Sequence, residues 1–376
     1  MKILVISNVF LPGINGGGPI KSLKNLIDYL EDDYEFSVIT ESRDVGSKKR
    51  YKNIIINSWN KFKRYKVKYI DKFTIKRVNK DINIVVPDII YLNSFFARAS
   101  FVTYLLIPKY KNIIFIIAPR GELNSNALNL KAEKKRIFIR LLQKSSLLKK
   151  VRFHATSEEE KKDILSLFPH NKVTVIPNLP SIASSENLRT CKERNSLRIV
   201  SVSRISKMKN IDFSIKSLNG ITEGEIVFDL FGPIEDKTYH EECLREIEKL
   251  NSNIKVNFKG SLNNSEVSEQ LRNYDLFYLP TLGENYGHSI VEAIQNQVPV
   301  LISSNTPWIK LEEKKIGKDL SLSNIDEFTD FIKSLIPLND EEYRERFTGF
   351  ESFIKKELNV ATTIEKYKKL FDGKKD

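Results

Sequence analysis

Two cysteines in 376 residues, Cys191 and Cys243, stand apart with no Cys-x-x-Cys spacing. That removes a disulfide framework and a thiolate zinc site, and makes a reducing cytosol the simple reading. No two aspartates are separated by one residue, so a paired-aspartate metal clamp is missing, and no His/Cys/Asp cluster suggests a metal. There is no Gly-x-Ser-x-Gly elbow of the kind a hydrolase uses. Long apolar runs are absent too. The nearest, Ile89 to Ile107, is broken by Asn93, Arg98 and Thr103, which reads as a strand plus an amphipathic helix rather than a membrane span. The opening run Met1–Phe10 is short, interrupted by Asn8 and followed by glycines, so it reads as a buried first strand and not as a leader.

Acidic residues are in deficit, 48 against 61 Lys and Arg, for a net charge of +13. The excess sits in the first half, in Lys61–Lys80 and Lys131–Lys150. The second cluster mixes Ile137, Phe138, Leu141, Leu142, Leu147 and Leu148 with Lys134, Lys135, Arg136, Arg140, Lys149 and Lys150, the pattern of a helix lying on an anionic membrane surface. The bland alternative is a solvated face in a lysine-rich chain. No nucleic-acid motif accompanies the charge, so nucleic acid is not expected as a partner.

A hydrophobic content of 41% and this length suit two domains. Short apolar strands alternate with helical patterns, which predicts parallel sheets of βαβ units. Strands are expected at Ile3–Ser7, Phe36–Thr40, Ile89–Leu92, Ile113–Ala118, Arg152–Ala155 and Val173–Ile176, then at Arg198–Ser203, Glu225–Phe231, Ile254–Phe258, Asp275–Leu279 and Val298–Ile302. The expected organisation is a first domain over 1–178, a polar linker over 179–197, a second domain over 198–356 and a terminal helix over 357–376. Both domains read as doubly wound, Rossmann-like α/β sheets facing a cleft, with ligands beyond the carboxyl ends of the strands.

Four strand-end segments carry chemistry. After the first strand, Pro12 to Pro19 contains Gly16, Gly17 and Gly18, which let backbone approach a phosphate. The spacing is not Gly-x-Gly-x-x-Gly, so a dinucleotide cofactor is disfavoured. Ser203 to Asn210 places Arg204, Lys207 and Lys209 past a strand end, where fixed cations suit a departing diphosphate. Gly232 and Gly260 end two further strands.

Most informative is Gly283-Glu284-Asn285-Tyr286-Gly287-His288-Ser289-Ile290-Val291-Glu292 after the apolar strand Asp275–Leu279. A helix opening at Gly287 offers backbone N–H groups to a phosphate. Two helical glutamates eight residues apart would lie about 12 Å from one another along the axis. That is too far for a hydrolase pair, which needs roughly 5 to 9.5 Å, but it suits the two ends of a long ligand.

This Glu-x7-Glu pattern, with Pro299–Trp308 following, resembles the family 4 retaining glycosyltransferases of the GT-B fold, of the bacterial surface-polysaccharide type. The resemblance covers most of the chain and is most specific in the second half. It implies a metal-independent enzyme without cofactor, taking a nucleotide-diphosphate sugar as donor and a glycan or lipid-linked glycan as acceptor. It implies a diphosphate held by Arg204 and Lys209, with Lys207 competing for the lysine role. It further implies sugar contacts from Glu284, the ribose on Glu292, and donor contacts from Gly17, Gly18, Gly232, Gly260, Tyr286, Gly287, His288 and Ser289. Many relatives carry a histidine where this chain has Arg120-Gly121. Arg120, Glu122 and His154 are therefore the acceptor-side candidates, though His154 also reads as a satisfied core histidine. Ser157 with Glu160 reads as a capping box. The implied location is the cytoplasm, peripheral to the inner face of the plasma membrane. Two other classes stay open: a sugar-nucleotide epimerase of the same fold, which needs histidines and carboxylates in its site, and a non-catalytic polyanion-binding adaptor.

Overall fold

Near-continuous Val, Ile and Leu runs are the mark of strands buried on both faces, and they pair in parallel. The computed structural model describes residues 1–124, 127–128, 132–182, 189–263 and 266–373. It divides into two compact units, Met1–Leu179 with Val360–Asp376, and Pro180–Asn359.

Among the described residues the first unit holds eight strands: β1 (Lys2–Ile6), β2 (Glu35–Glu41), β3 (Trp59–Lys61), β4 (Lys66–Ile70), β5 (Ile89–Asn93), β6 (Ile114–Ala118), β7 (Arg152–Ala155) and β8 (Lys172–Val175). Their order is β3-β4-β2-β1-β5-β6-β7-β8, and all pair in parallel except the short edge strand β3. Alternate residues of β1 feed opposite faces. Leu4 and Ile6 join Val78, Ile82, Ile139, Leu142 and Ile164 from the helices Ile75–Val85, Ala132–Lys144 and Glu158–Leu167. Ile3 and Val5 join Leu23, Leu26 and Ile27 of the helix Gly18–Leu30, and Tyr367, Leu370 and Phe371 of the last helix, Val360–Asp372. The C-terminal helix thus supplies part of one face of the N-terminal sheet.

The second unit orders β9 (Ser196–Val202), β10 (Glu225–Phe231), β11 (Ile254–Gly260), β12 (Leu276–Leu279), β13 (Val300–Ser303) and β14 (Gly317–Leu320) as β11-β10-β9-β12-β13-β14, all parallel. Central β12 and β13 are buried throughout.

Several expectations need correcting. Lys61–Lys80 is not a uniform basic surface. It contains β4, whose Val67 and Tyr69 are buried while Lys66 pairs with Glu35 at 3.3 Å and Lys68 with Asp81 at 2.5 Å. Arg64 pairs with Asp32. The stretch 179–197, expected as a linker, makes internal contacts at several of its described residues. Leu179 is buried and its carbonyl accepts from Asn25 at 2.8 Å. Arg189 contacts Asp275 at 3.3 Å and Asp340 at 3.0 Å, and β9 already begins at Ser196. Half of the expected capping box forms. Ser157 Oγ accepts from the Glu160 N–H at 3.1 Å, but the Glu160 carboxylate accepts instead from the Gly121 N–H at 2.7 Å and from Thr156. Among the described residues no helix is long and apolar enough to cross a membrane.

Candidate active site

In the second sheet the chain runs outward from β9 to β10 and β11, then returns to place β12 on the other side of β9. The strand order therefore reverses at β9 and β12, and beyond such a switch point open α/β sheets bind ligands. The β9 loop leads into a single 3₁₀ turn, Lys207–Lys209, ended by Asn210 in the left-handed region at φ 57°. The β12 loop is stitched to that turn. Leu282 N–H and Thr281 Oγ1 both donate to the Met208 carbonyl at 2.9 Å, and Asn210 Nδ2 donates to the Pro280 carbonyl at 3.0 Å. Glu284 N–H donates to the Asn305 carbonyl at 3.2 Å.

That stitching brings two of the sequence candidates together. Lys209 Nζ contacts Glu284 Oε1, with both side chains mostly buried. Lys207, by contrast, is two-thirds exposed and lies 3.8 Å from Glu242, so it is Lys209 that faces the β12 loop. Arg204 pairs with Glu235 at 2.8 Å, half in solvent. Glu235 was not singled out from the sequence. It follows Ile234, whose bridge to Ile205 draws the β10 loop alongside.

The glycines do backbone work. A Cβ on Gly232, at φ 149°, would sit 1.8 Å from the Ser203 carbonyl, so no other residue fits there. Gly232 N–H in turn donates to the Gly260 carbonyl at 2.8 Å, linking the ends of β10 and β11. Gly287, at φ 73°, is the N-cap of the helix His288–Gln295, so Ser289 falls in its first turn, where backbone N–H groups lack intrahelical acceptors. Tyr286 and His288 rings stand 4.8 Å apart, and Trp308 Nε1 donates to the Tyr286 carbonyl. Glu292 is buried inside this helix and accepts from Ser181 Oγ at 3.1 Å. Glu284 precedes the helix, so the axial estimate for two helical glutamates does not describe this pair.

In the first unit Gly17 is the N-cap of the helix Gly18–Leu30, at φ 56° with open space where a Cβ would point. The three acceptor-side candidates all have internal partners, and for His154 this is the satisfied core reading. Arg120 Nε donates to Asn93 at 2.8 Å, Nη2 to the Tyr91 hydroxyl at 3.0 Å and Nη1 to Asn178. His154 is fully buried, with Nδ1 2.6 Å from the Tyr91 hydroxyl and Nε2 2.8 Å from the Ile176 carbonyl. Burial, reinforced by the Arg120 charge, lowers its pKa to about 3. Glu122 accepts from Ser94 Oγ at 2.7 Å and from the Phe95 and Phe96 N–H groups at 2.6 and 2.9 Å. His154 and Glu122 are internal braces, and every Arg120 guanidinium nitrogen has an internal acceptor. The strand context of His154 pointed to a core role, but no local signal named the partners, which come from β5 and from the chain after β8.

Residues 189–348 match the family described as glycosyl transferases group 1. The match falls entirely within the second unit. The sulfoquinovosyl transferase SQD2 of Arabidopsis thaliana is 28% identical over 150 residues, which is 39% of this chain and 28% of that protein's length. Among solved structures, HepE of Anabaena, in complex with UDP and glucose, aligns over 100% of both chains with a TM-score of 0.70 at 15% identity. The sucrose-phosphate synthase of Thermosynechococcus elongatus aligns over 99% of this chain and 100% of its own, with a TM-score of 0.69 at 13% identity. WaaG, a glycosyltransferase involved in lipopolysaccharide biosynthesis, aligns over 99% and 100% with a TM-score of 0.65 at 13% identity. At such identities the likeness carries the fold, which is GT-B.

Proposed function

We propose that the chain is a retaining glycosyltransferase moving a sugar from a nucleotide-diphosphate sugar to a glycan or lipid-linked glycan acceptor in bacterial cell-surface polysaccharide synthesis. The observation that carries the donor reading is the Lys209–Glu284 pair at the β9/β12 switch point, with Arg204 on the same β9 loop. Negative charge grows on a diphosphate as the glycosidic bond breaks, and preorganised cations stabilise it without further reorganisation. Arg204 and Lys209 take that role, Glu284 and the amides from Tyr286 to Ser289 hold sugar hydroxyls and phosphate, and Glu292 takes the ribose. Retention proceeds by front-face attack, with a leaving phosphate oxygen accepting the acceptor's proton. The acceptor falls to the first unit, at the cytoplasmic face of a membrane. Support for UDP as the nucleotide comes from HepE, and for a polysaccharide role from WaaG. The epimerase alternative loses a residue it needs, since His154 is buried and hydrogen-bonded at both ring nitrogens.

The test is thermal shift and donor hydrolysis with UDP-, GDP- and ADP-sugars. One nucleotide diphosphate should stabilise the protein by about 2.7 kcal/mol at a hundredfold excess over its Kd. No response to any of them would remove the donor reading. Since the chain has no Asp-x-Asp clamp, hydrolysis should also persist in excess EDTA. Strict dependence on added manganese or magnesium would show that the class is wrong.

A further inference from the structure

Ser181 lies in the stretch that reads as a linker, yet within the second unit it is fastened beside the candidate ribose group. Its hydroxyl donates to Glu292 Oε1 at 3.1 Å. Its carbonyl accepts from Gln295 Nε2 at 2.9 Å. Glu292 and Gln295 stand three residues apart on the helix His288–Gln295 and share a face, so Ser181 is clamped to that face at two points. Pro180 before it is buried and fixes its own φ, which narrows how the chain reaches the helix.

Glu292 is 4% exposed, and a carboxylate at that depth needs polar partners. It comes four residues after His288, about 6 Å along the axis from the start of the helix. Its side chain leans back toward that start, as helical side chains do. A phosphate on the first-turn N–H groups and a ribose at Glu292 therefore follow the order in which a nucleoside diphosphate carries them. The terminal torsion of a glutamate is broad and roughly two-fold, so a carboxylate without a fixed donor swings its oxygens. The Ser181 bond sets that plane. A carboxylate accepts at about four lone-pair positions, so one such bond does not use it up.

We propose that Ser181 is a positioning residue for the donor's ribose, its hydroxyl holding the Glu292 carboxylate in the plane that receives the 2′- and 3′-hydroxyls. The proposal rests on the reading of Glu292 as the ribose group. It adds that this carboxylate is set from a segment outside the described strands and helices. A brace that only stabilised the fold would serve every nucleotide alike. A positioning hydroxyl matters only when a ribose diol is there to meet the carboxylate.

Calorimetric titration of the full chain with UDP, GDP and ADP, each beside its 2′,3′-dideoxy form, tests it. Wild type should bind one ribonucleotide more tightly than the matching dideoxy form. Ser181→Ala should weaken that ribonucleotide about three- to tenfold, the scale of one hydrogen bond, and leave the dideoxy form unchanged. Ser181→Thr keeps a hydroxyl and should bind like wild type. Glu292→Gln should abolish the preference for the ribonucleotide, and adding Ser181→Ala to it should then cost nothing more. Melting curves without nucleotide confirm that each variant folds. If Ser181→Ala weakens both forms equally, or neither, while Glu292→Gln abolishes the preference, the proposal falls and the ribose reading stands. If Glu292→Gln leaves the preference intact, the ribose reading falls and takes the proposal with it. Binding of no nucleotide at all sinks the donor reading, and the proposal with it.

Discussion

Both sheets carry charged loops beyond their strand ends, yet they spend the charge in opposite ways. In the second unit Arg204 and Lys209 each face a single carboxylate from a neighbouring loop, Arg204 half in solvent and Lys209 mostly buried against Glu284. A ligand phosphate can take the place of such a carboxylate without disturbing the core. In the first unit Arg120, Tyr91, His154 and Asn178 close a network in which the guanidinium and both imidazole nitrogens already have partners. Recruiting those groups for a substrate would leave buried polar atoms unsatisfied, at about 1–3 kcal/mol each. The type of charged residue does not decide whether it binds; the accessibility of its partner does.

The sharpest way to break this contrast is Lys209→Ala. Losing one preorganised group at a developing charge should lower donor turnover about 100- to 1000-fold, roughly 2.7–4 kcal/mol, while the fold persists. A turnover within threefold of wild type would move Lys209 out of the site. Arg120→Ala should do the reverse. It removes the donor that Asn93, Tyr91 and Asn178 share, so amide exchange across β5–β7 should report a loss of about 3 kcal/mol, with nucleotide affinity unchanged. Weaker nucleotide binding with intact protection would make Arg120 a ligand group after all.

A smaller effect concerns acid. His154 stays neutral in the folded unit down to about pH 3, whereas in the unfolded chain it protonates near 6.5. Its contribution is therefore constant above about pH 6.5 and is lost as pH falls below it, by at most about 1.4 kcal/mol per pH unit. Urea midpoints of wild type and His154→Gln between neutral and acid pH should show the wild-type slope flattening in the variant. Smallest of all, Lys207→Ala should change turnover by less than about threefold, because an exposed pair of this kind contributes only ~0–1 kcal/mol.

The α/β architecture was legible in the sequence because parallel strands such as Phe277–Leu279 and Val300–Ile302 are apolar throughout. Strand β4 was not. Its alternation of Lys66, Val67, Lys68 and Tyr69 reads as a charge cluster until Glu35 and Asp81 are brought to it by the fold. Gly317–Leu320 has little strand preference of its own and is ordered as β14 by pairing with β13. In the second unit, Arg204, Lys209 and Glu284 each follow their strand by a few residues, and the fold brings Lys209 to Glu284. The resemblance already favoured Lys209 over Lys207, and the bonds from Thr281 Oγ1 and Leu282 N–H to the Met208 carbonyl tie the 3₁₀ turn to the loop that carries Glu284. The closed network of the first unit was out of reach, since Tyr91 and His154 are 63 residues apart, and Arg120 and Asn178 are 58 apart.

Amide hydrogen exchange of the full chain, with and without the nucleotide diphosphate that shifts its melting temperature, measures directly where the donor sits. Protection should appear at Ser203–Asn210 and Leu282–Ser289, with Pro119–Glu122 unchanged. Protection confined to Pro119–Glu122, with the β9 and β12 loops exchanging as before, would contradict a donor site at the second unit's switch point.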